Sequence, residues 1–171
     1  MALLRSLGFA MVVVGAATVT TAARAAHPQY PACFGEAAQR YGLSETLLRA
    51  IAKVESNGQV DAVHRDADGT HDVGLMQINS SHFERLRPLG ISEDTLLNRP
   101  CTNIAVGASI LAGFVRQFGM TWRAVGAYNA GTHSKLERAR VAYVAKVQRA
   151  FDRIAKVGGG QLLPVDRKPG W

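Results

Sequence analysis

The spacing of apolar residues between positions 101 and 118 constrains the fold more than any other feature of the chain. They recur every three or four residues, which is the period of an amphipathic helix. A second stripe of this kind follows Ser134, whereas no alternating apolar and polar run reaches six residues. The predicted fold class is therefore all-α or nearly so. The two stripes are Ile104, Ala108, Ile110, Leu111, Phe114, Val115 and Phe118, and Leu136, Tyr143, Val144, Val147, Phe151 and Ile154.

Capping residues divide the remaining chain into shorter helices. One helix ends at Gly42, and the next begins after Ser44 and runs to Glu55. Residues 57–73 are polar and show neither a helical nor a strand period, so the sequence predicts a long loop. Because long loops are uncommon in compact domains, we expect this one to have a functional role. Further helices are predicted at residues 34–41, around Phe83, at 92–97 and at 122–128.

Both ends of the chain differ from its centre. Residues 1–25 combine Arg5, a short apolar stretch and Ala23-Arg24-Ala25, which is typical of a secretory signal peptide. An uncleaved anchor is the alternative, but the stretch is short for a bilayer, so no stable membrane span is expected after cleavage. The folded domain is predicted at residues 26–156. Three consecutive glycines and two prolines predict a flexible tail at 157–171.

The predicted export signal bears on the state of the two cysteines. In an oxidising compartment an even cysteine count favours a disulfide, here between Cys33 and Cys101. The alternative is a pair of buried free thiols. The disulfide would place the helix that contains Cys33 against the start of the helix that follows Cys101.

The net charge narrows the class of partner without choosing one. The whole chain carries +7, and loss of Arg5 and Arg24 with the signal would leave +5. Such a charge favours an anionic partner, such as wall polymer, acidic lipid or nucleic acid. Export argues against nucleic acid, and zinc-finger spacing, aromatic RNA-binding motifs and long basic runs are missing from the sequence.

Glu55 is the first candidate for chemistry. Leu48, Ile51 and Glu55 share one helix face, and this face is otherwise apolar. Hydrocarbon around a carboxyl group disfavours its charged form, so the pKa of Glu55 is expected to rise. A glutamic acid that keeps its proton near neutral pH can protonate a leaving sugar oxygen. The alternative is a solvated glutamate at a frayed helix end.

Four short segments, taken in their order and spacing along the chain, form a recognisable pattern: Glu55-Ser56, Gly74-Leu-Met-Gln-Ile78, Tyr128-Asn-Ala-Gly131 and Tyr143-Val144. Together they resemble the soluble lytic transglycosylases, whose domain is similar to goose-type lysozyme. The resemblance covers about residues 33–151. Small size, an export signal and a cysteine pair further resemble the specialised members that accompany secretion systems and pili. The resemblance implies a periplasmic enzyme that acts on peptidoglycan glycan strands without a cofactor.

The resemblance also implies a reaction. Glu55 matches the single catalytic acid of the family, which protonates the oxygen between N-acetylmuramic acid and N-acetylglucosamine. The resulting carboxylate then deprotonates the muramic C6 hydroxyl, which closes onto C1 as a 1,6-anhydro ring. Because the substrate supplies the nucleophile, a second protein carboxylate is not required, unlike in most glycosidases.

The resemblance implies substrate contacts for the remaining motif residues, each with a structural alternative. Ser56 matches a substrate-contacting serine, but a helix-end hydroxyl can also bond a free carbonyl. Gly74 suits close approach to a sugar, and Gln77 offers a donor and an acceptor to an N-acetyl group. Met76 belongs to the same segment, and its alternative is core packing.

Three further residues carry the same implication. Tyr128 and Asn129 match the substrate side of the cleft, although Asn129 could also be a helix C-cap. Tyr143 lies on the apolar stripe, where burial alone could explain it. The resemblance predicts that its hydroxyl bonds the catalytic carboxyl, and a buried hydroxyl needs a partner.

The loop aspartates keep a second mechanism open. If one of them faces Glu55 it could hold a water and make the enzyme a lysozyme-like hydrolase, but solvated loop charges are favoured. The calcium-loop pattern is incomplete and the histidines lack metal spacing, so no metal is expected. The aspartates are Asp61, Asp66, Asp68 and Asp72.

Two hypotheses concern binding. A non-catalytic wall-binding or assembly protein would keep the fold without the activity. Separately, the basic residues of the final helix predict a solvated face by default, with contact to acidic wall polymer or a secretion-system partner as the hypothesis. They are Lys135, Arg138, Arg140, Lys146, Arg149, Arg153 and Lys156.

Overall fold

The computed structural model describes residues 31–158, and these fold into seven α-helices and a small sheet. The nearly all-α class is thereby confirmed. The helices are α1 (Pro31–Tyr41), α2 (Glu45–Ser56), α3 (Phe83–Leu86), α4 (Glu93–Asn98), α5 (Pro100–Phe118), α6 (Trp122–Ala130) and α7 (Glu137–Gly158). Short 3-10 turns cover Ser80–His82, Arg87–Leu89 and Ser134–Leu136.

Caps begin the helices where the sequence predicts them. The Ser44 hydroxyl accepts a hydrogen bond from the Leu47 amide at 3.2 Å, and Thr121 caps α6 in the same way. Both satisfy an amide that the first helical turn leaves without a partner. Ser134 opens a 3-10 turn instead, so α7 begins three residues later than predicted.

The core is formed where α2 packs against α7 and where α7 packs against α6. Leu48 and Ile51 of α2 and Val147 of α7 are 0% exposed. These are positions of the apolar faces predicted from helical spacing. Gly126 lets α6 and α7 approach closely, since a Cβ there would lie 3.0 Å from the Arg140 Cβ. The C-terminal ends of α2 and α6 thus gather near the start of α7.

The predicted disulfide is confirmed. Cys33 in α1 and Cys101 in α5 are bonded, and their Cα atoms are 5.3 Å apart. The bond joins helices that also pack against each other along their length. A crosslink across 68 residues restricts the unfolded chain and stabilises the fold by about 4 kcal/mol in the chain-entropy model.

The loop predicted at residues 57–73 is partly wrong. It contains two strands, β1 (Val63–Arg65) and β2 (His71–Val73), which pair antiparallel, and β2 continues to β3 (Ile78–Asn79). Strands of two or three residues are too short to show an alternating pattern. The pairing opposes Asp72 and Asn79, which orders one of the loop carboxylates.

Several predictions fall outside residues 31–158. The signal peptide at 1–25 lies entirely outside this range. Most of the predicted tail at 157–171 also lies outside it, but the first two residues of the tail belong to α7, which continues to Gly158. Within the described part of the chain, every helix is too short or too polar to cross a bilayer.

Candidate active site

Glu55 lies in the last turn of α2 and lines a cavity of about 630 Å³. Its pKa is raised from 4.5 to about 7, chiefly by burial and to a smaller extent by the negative charge of Asp72. The hydrogen bond from Tyr143 and the charge of Lys146 act in the opposite direction, but burial is the largest effect. The predicted rise in pKa is confirmed, so a large part of Glu55 carries its proton at neutral pH.

Tyr143 holds the carboxyl group of Glu55. Its hydroxyl donates to Glu55 Oε1 at 2.6 Å, and the side chain is only 4% exposed. Burial, followed by the charge of Glu55, raises the tyrosine's own pKa well above 10, so the phenol remains a donor. The contact predicted for Tyr143 is present, and it fixes the direction of the carboxyl group.

Gly74 was expected to let a sugar approach closely, but the group that lies against it is the side chain of Asn103. A Cβ at Gly74 would lie 2.2 Å from Asn103 Nδ2, and its φ is +76°. Asn103 is 0% exposed, and its amide accepts from the Met76 amide at 2.8 Å and donates to the Val73 carbonyl at 2.9 Å. Gly74 therefore makes room for an asparagine that supports the chain beneath the cavity.

Met76 was expected at the substrate, but its side chain is 0% exposed. It packs against α5 at Gly107, where a Cβ would come within 2.7 Å of the Met76 Cβ. Its backbone carbonyl accepts a hydrogen bond from the Tyr128 hydroxyl at 2.7 Å. The core-packing alternative describes the side chain, and Met76 contributes to the site through its backbone.

The hydroxyl of Ser56 forms hydrogen bonds inside the protein. It donates to the carbonyls of Ala52 at 3.2 Å and Leu75 at 3.0 Å, and it accepts from the Gly58 amide. Ser56 is 8% exposed. The helix-end alternative fits this geometry better than a substrate contact, because the hydroxyl joins the end of α2 to the segment that follows Gly74.

Tyr128, Gln77 and Asn129 all line the cavity. Gln77 adopts a left-handed conformation with φ 45°, which is uncommon outside glycine, and its Nε2 donates to the Gly74 carbonyl at 2.8 Å. Asn129 is exposed and helical, because Gly131 ends α6 with φ +63°. The C-cap alternative for Asn129 is therefore wrong.

The hairpin formed by β1 and β2 contributes carboxylates to one side of the cavity. Asp66, Asp68 and Asp72 line it together with Glu55, whereas Asp61 lies outside the lining. Asn79 Nδ2 donates to Asp72 Oδ1 at 2.9 Å. Half-burial nevertheless raises the pKa of Asp72 above its usual range. Sequence reasoning favoured solvated loop charges, which describes the exposed Asp68, whereas Asp72 is partly buried in β2 opposite Asn79.

An apolar side comes from α5. Ile110 and Phe114 were assigned to the packing stripe, yet both are partly exposed and line the cavity. The apolar positions of α5 cover more of its circumference than one packing face needs, which was the available signal. Asn103 had a signal too, since it is a polar residue beside the buried Ile104 and one turn before Gly107.

The chemistry of these side chains is that of an acid–base site. Within residues 31–158, the histidines, cysteines and acidic residues form no group of three that could hold a metal ion. His82 lines the cavity, and burial lowers its pKa, which favours the neutral imidazole.

The sequence matches the family described as Transglycosylase SLT domain over residues 32–150. The chain belongs to this transglycosylase family. The resemblance to lytic transglycosylases found in the four motifs is thereby confirmed, and it identifies the chain as an enzyme of the lytic transglycosylase class.

Two relatives support this assignment. Protein IpgF from Shigella flexneri is 42% identical over 123 residues, which cover 72% of this chain and 81% of the relative. Invasion protein IagB from Salmonella typhi is 42% identical over 125 residues, covering 73% and 78%.

The fold has a solved counterpart. An inactive variant of lytic transglycosylase Slt from Pseudomonas aeruginosa superimposes with a TM-score of 0.65 at 24% identity. The match covers 84% of this chain but only 27% of the larger protein. The SLT domain described here therefore has the fold of one part of that protein.

Proposed function

We propose that this SLT-family chain cleaves the β-1,4 bond between N-acetylmuramic acid and N-acetylglucosamine in peptidoglycan and leaves a 1,6-anhydromuramic end. The observation that carries the proposal is a glutamic acid with a pKa of about 7 in the lining of a 630 Å³ cavity. A pKa near the working pH lets one group donate a proton and then accept one.

The steps follow from that single group. Protonated Glu55 gives its proton to the glycosidic oxygen while the bond from C1 to that oxygen breaks. The Glu55 carboxylate then takes the proton of the muramic C6 hydroxyl, and O6 bonds to C1. Water is not consumed, and Glu55 ends protonated as it began. Tyr143 stabilises the charged intermediate state of Glu55, because its hydroxyl donates to Oε1.

The remaining residues take two kinds of role in the proposal. Gln77 and Asn129 contact the sugar N-acetyl and hydroxyl groups, since both line the cavity and Asn129 is exposed. Ser56, Tyr128 and the backbone at Gly74 and Met76 keep the segment under the sugar in place through their internal hydrogen bonds. In this proposal, four of the residues predicted to bind substrate hold the site in place and do not contact the sugar themselves.

Hydrolysis is the second candidate, and Asp72 is the observation that favours it. Asp72 lines the same cavity as Glu55 and raises the pKa of Glu55. A carboxylate in that place could activate a water that attacks C1 in competition with O6. The product would then be a muramidase product with a reducing end.

The biological setting is proposed from other signs. We place the enzyme in the periplasm, where it opens the wall locally during assembly of a secretion system or pilus. The predicted export signal, the small size and the cysteine pair support this, and one relative is named an invasion protein.

Mass spectrometry of fragments released from purified peptidoglycan by residues 26–171 tests the proposal. Fragments that end in 1,6-anhydromuramic acid are expected, and Glu55→Gln should release about 1,000-fold fewer of them in the same time. Reducing ends with an added water would favour hydrolysis through Asp72. If the unmodified protein releases no fragment, the proposed function is wrong.

A further inference from the structure

We infer that the outer face of α7 binds the free carboxylates of the peptide stems of the glycan strand, so that substrate peptides leave the cavity over this helix. The inference rests on the proposed function, because it specifies which part of peptidoglycan this surface contacts. It concerns the exposed residues Lys146, Arg149, Arg153 and Lys156, called the basic stripe below.

The basic stripe is continuous. Its members are spaced by three, four and three residues, so they share one side of the helix. All four are exposed, and within residues 31–158 none of them forms a salt bridge. Asp152 is the only carboxylate between the first and last member. An aligned and unpaired row of cations is suited to a polyanion that crosses or follows the helix.

The stripe begins beside the active site. Lys146 follows Tyr143 by one helical turn, and the Tyr143 hydroxyl bonds Glu55. In keeping with this placement, the positive charge of Lys146 lowers the pKa of Glu55. From Lys146 the stripe continues along α7 for the remaining turns of the described helix.

The cavity itself has the opposite charge. Its lining contains Asp66, Asp68 and Asp72 besides Glu55, and its histidine is shifted towards the neutral form. Sugars tolerate this surface because they are neutral and rich in hydroxyl groups. Peptide carboxylates are repelled by it and attracted by the exposed cations of the basic stripe on α7. The charge difference therefore orients the strand, with sugars on the hairpin side and stems towards α7.

The test compares soluble glycan strands with intact peptide stems and the same strands after amidation of their carboxyl groups. Amidation removes charge while keeping the peptides in place. The stripe variant combines Arg149→Gln, Arg153→Gln and Lys156→Gln. A matched control loses three exposed cations elsewhere, through Arg40→Gln, Arg87→Gln and Arg99→Gln. Dissociation constants are measured in the Glu55→Gln background, and kcat/KM is measured with Glu55 present.

We expect the parent protein to bind the charged strands roughly fivefold more tightly than the amidated strands, as for a few exposed ion pairs. The stripe variant should lose this preference, the control should keep it, and high salt should abolish it. Equal effects of the stripe variant and the control on both strands would overturn the inference. Because binding needs no turnover, failure to release any fragment would count against the proposed function alone.

Discussion

On the hairpin side of the cavity, hydrogen bonds join partly exposed polar side chains, whereas on the helical side they join buried groups. Thr70 and Asn79 connect the aspartates of the hairpin in a network open to water. On the helical side, Asn103 bonds the Met76 amide and the Val73 carbonyl, and Tyr143 bonds Glu55, all with little exposure to water. The same kind of bond is worth more where water cannot replace it. The free energy of unfolding and the proton transfer by Glu55 should therefore depend on the helical side.

The comparison predicts the largest difference between the two carboxyl groups. Glu55→Gln should reduce cleavage by about 1,000-fold, because it removes the proton donor. Asp72→Asn on the hairpin side should cost far less, since the substrate supplies its own nucleophile. Asp61→Asn, outside the cavity lining, is the control. Initial rates on purified peptidoglycan measure all three, and equal losses for Glu55→Gln and Asp72→Asn would refute the single-carboxyl mechanism.

The next effect concerns stability on the helical side. Asn103→Ala should lower the free energy of unfolding by about 3 kcal/mol, because it leaves the Met76 amide and the Val73 carbonyl buried without partners. Urea unfolding followed by circular dichroism measures the loss. Asn98→Ala is the matched control, since Asn98 is exposed and bonds Asp94 on the surface. A loss as small as that of the control would show that Asn103 is not the support inferred here.

The raised pKa of Glu55 predicts an effect on stability of similar size, which depends on pH. Its folded-state pKa of about 7 exceeds 4.5, so the charged form is disfavoured by folding. The stability that neutral Glu55 provides is present below pH 4.5 and is lost as the pH rises through 7. Glu55→Gln should therefore be the more stable protein at pH 8, by about 3 kcal/mol, and nearly equal at pH 4.5. The free energy of unfolding of both proteins is measured at pH 4.5 and pH 8, and a difference between the proteins that does not change with pH would contradict this.

The smallest effect is expected in the hairpin network. Thr70 Oγ1 donates to Asp68 Oδ1 at 2.7 Å, in an exposed setting. Thr70→Val should lower the free energy of unfolding only slightly, because water can replace this exposed bond, and cleavage should change little. Thr95→Val, at an exposed hydroxyl pair with Ser92, provides the comparison. A loss at Thr70 that matches the loss at Asn103 would remove the distinction between the two sides.

Sequence reasoning succeeded on the helical side for a physical reason. Helical spacing, caps such as Ser44 and the stop at Gly42 are local signals, and they positioned Glu55 correctly. The raised pKa of Glu55 could be expected because its neighbours in the sequence are its neighbours on the helix face. The disulfide followed from the cysteine count and the export signal.

It failed where the structure depends on distant contacts. The role of Gly74 depends on Asn103, 29 positions later, and the strands are too short to carry a period. Phe114 shares its apolar character with core residues, so only the fold separates them. Ser56 and Met76 are adjacent to the site in sequence, but their side chains point into the protein.

The account depends most directly on the protonation of Glu55. Carbon-13 NMR titration of the side-chain carboxyl carbons, with Glu55 assigned by its absence in Glu55→Gln, measures that property without a substrate. We predict a midpoint near pH 7 for this one glutamate, and a still higher midpoint in Tyr143→Phe because the hydrogen bond to the charged form is lost. A midpoint near 4.5 would mean that Glu55 is ionised at neutral pH, and it would contradict the proposed acid.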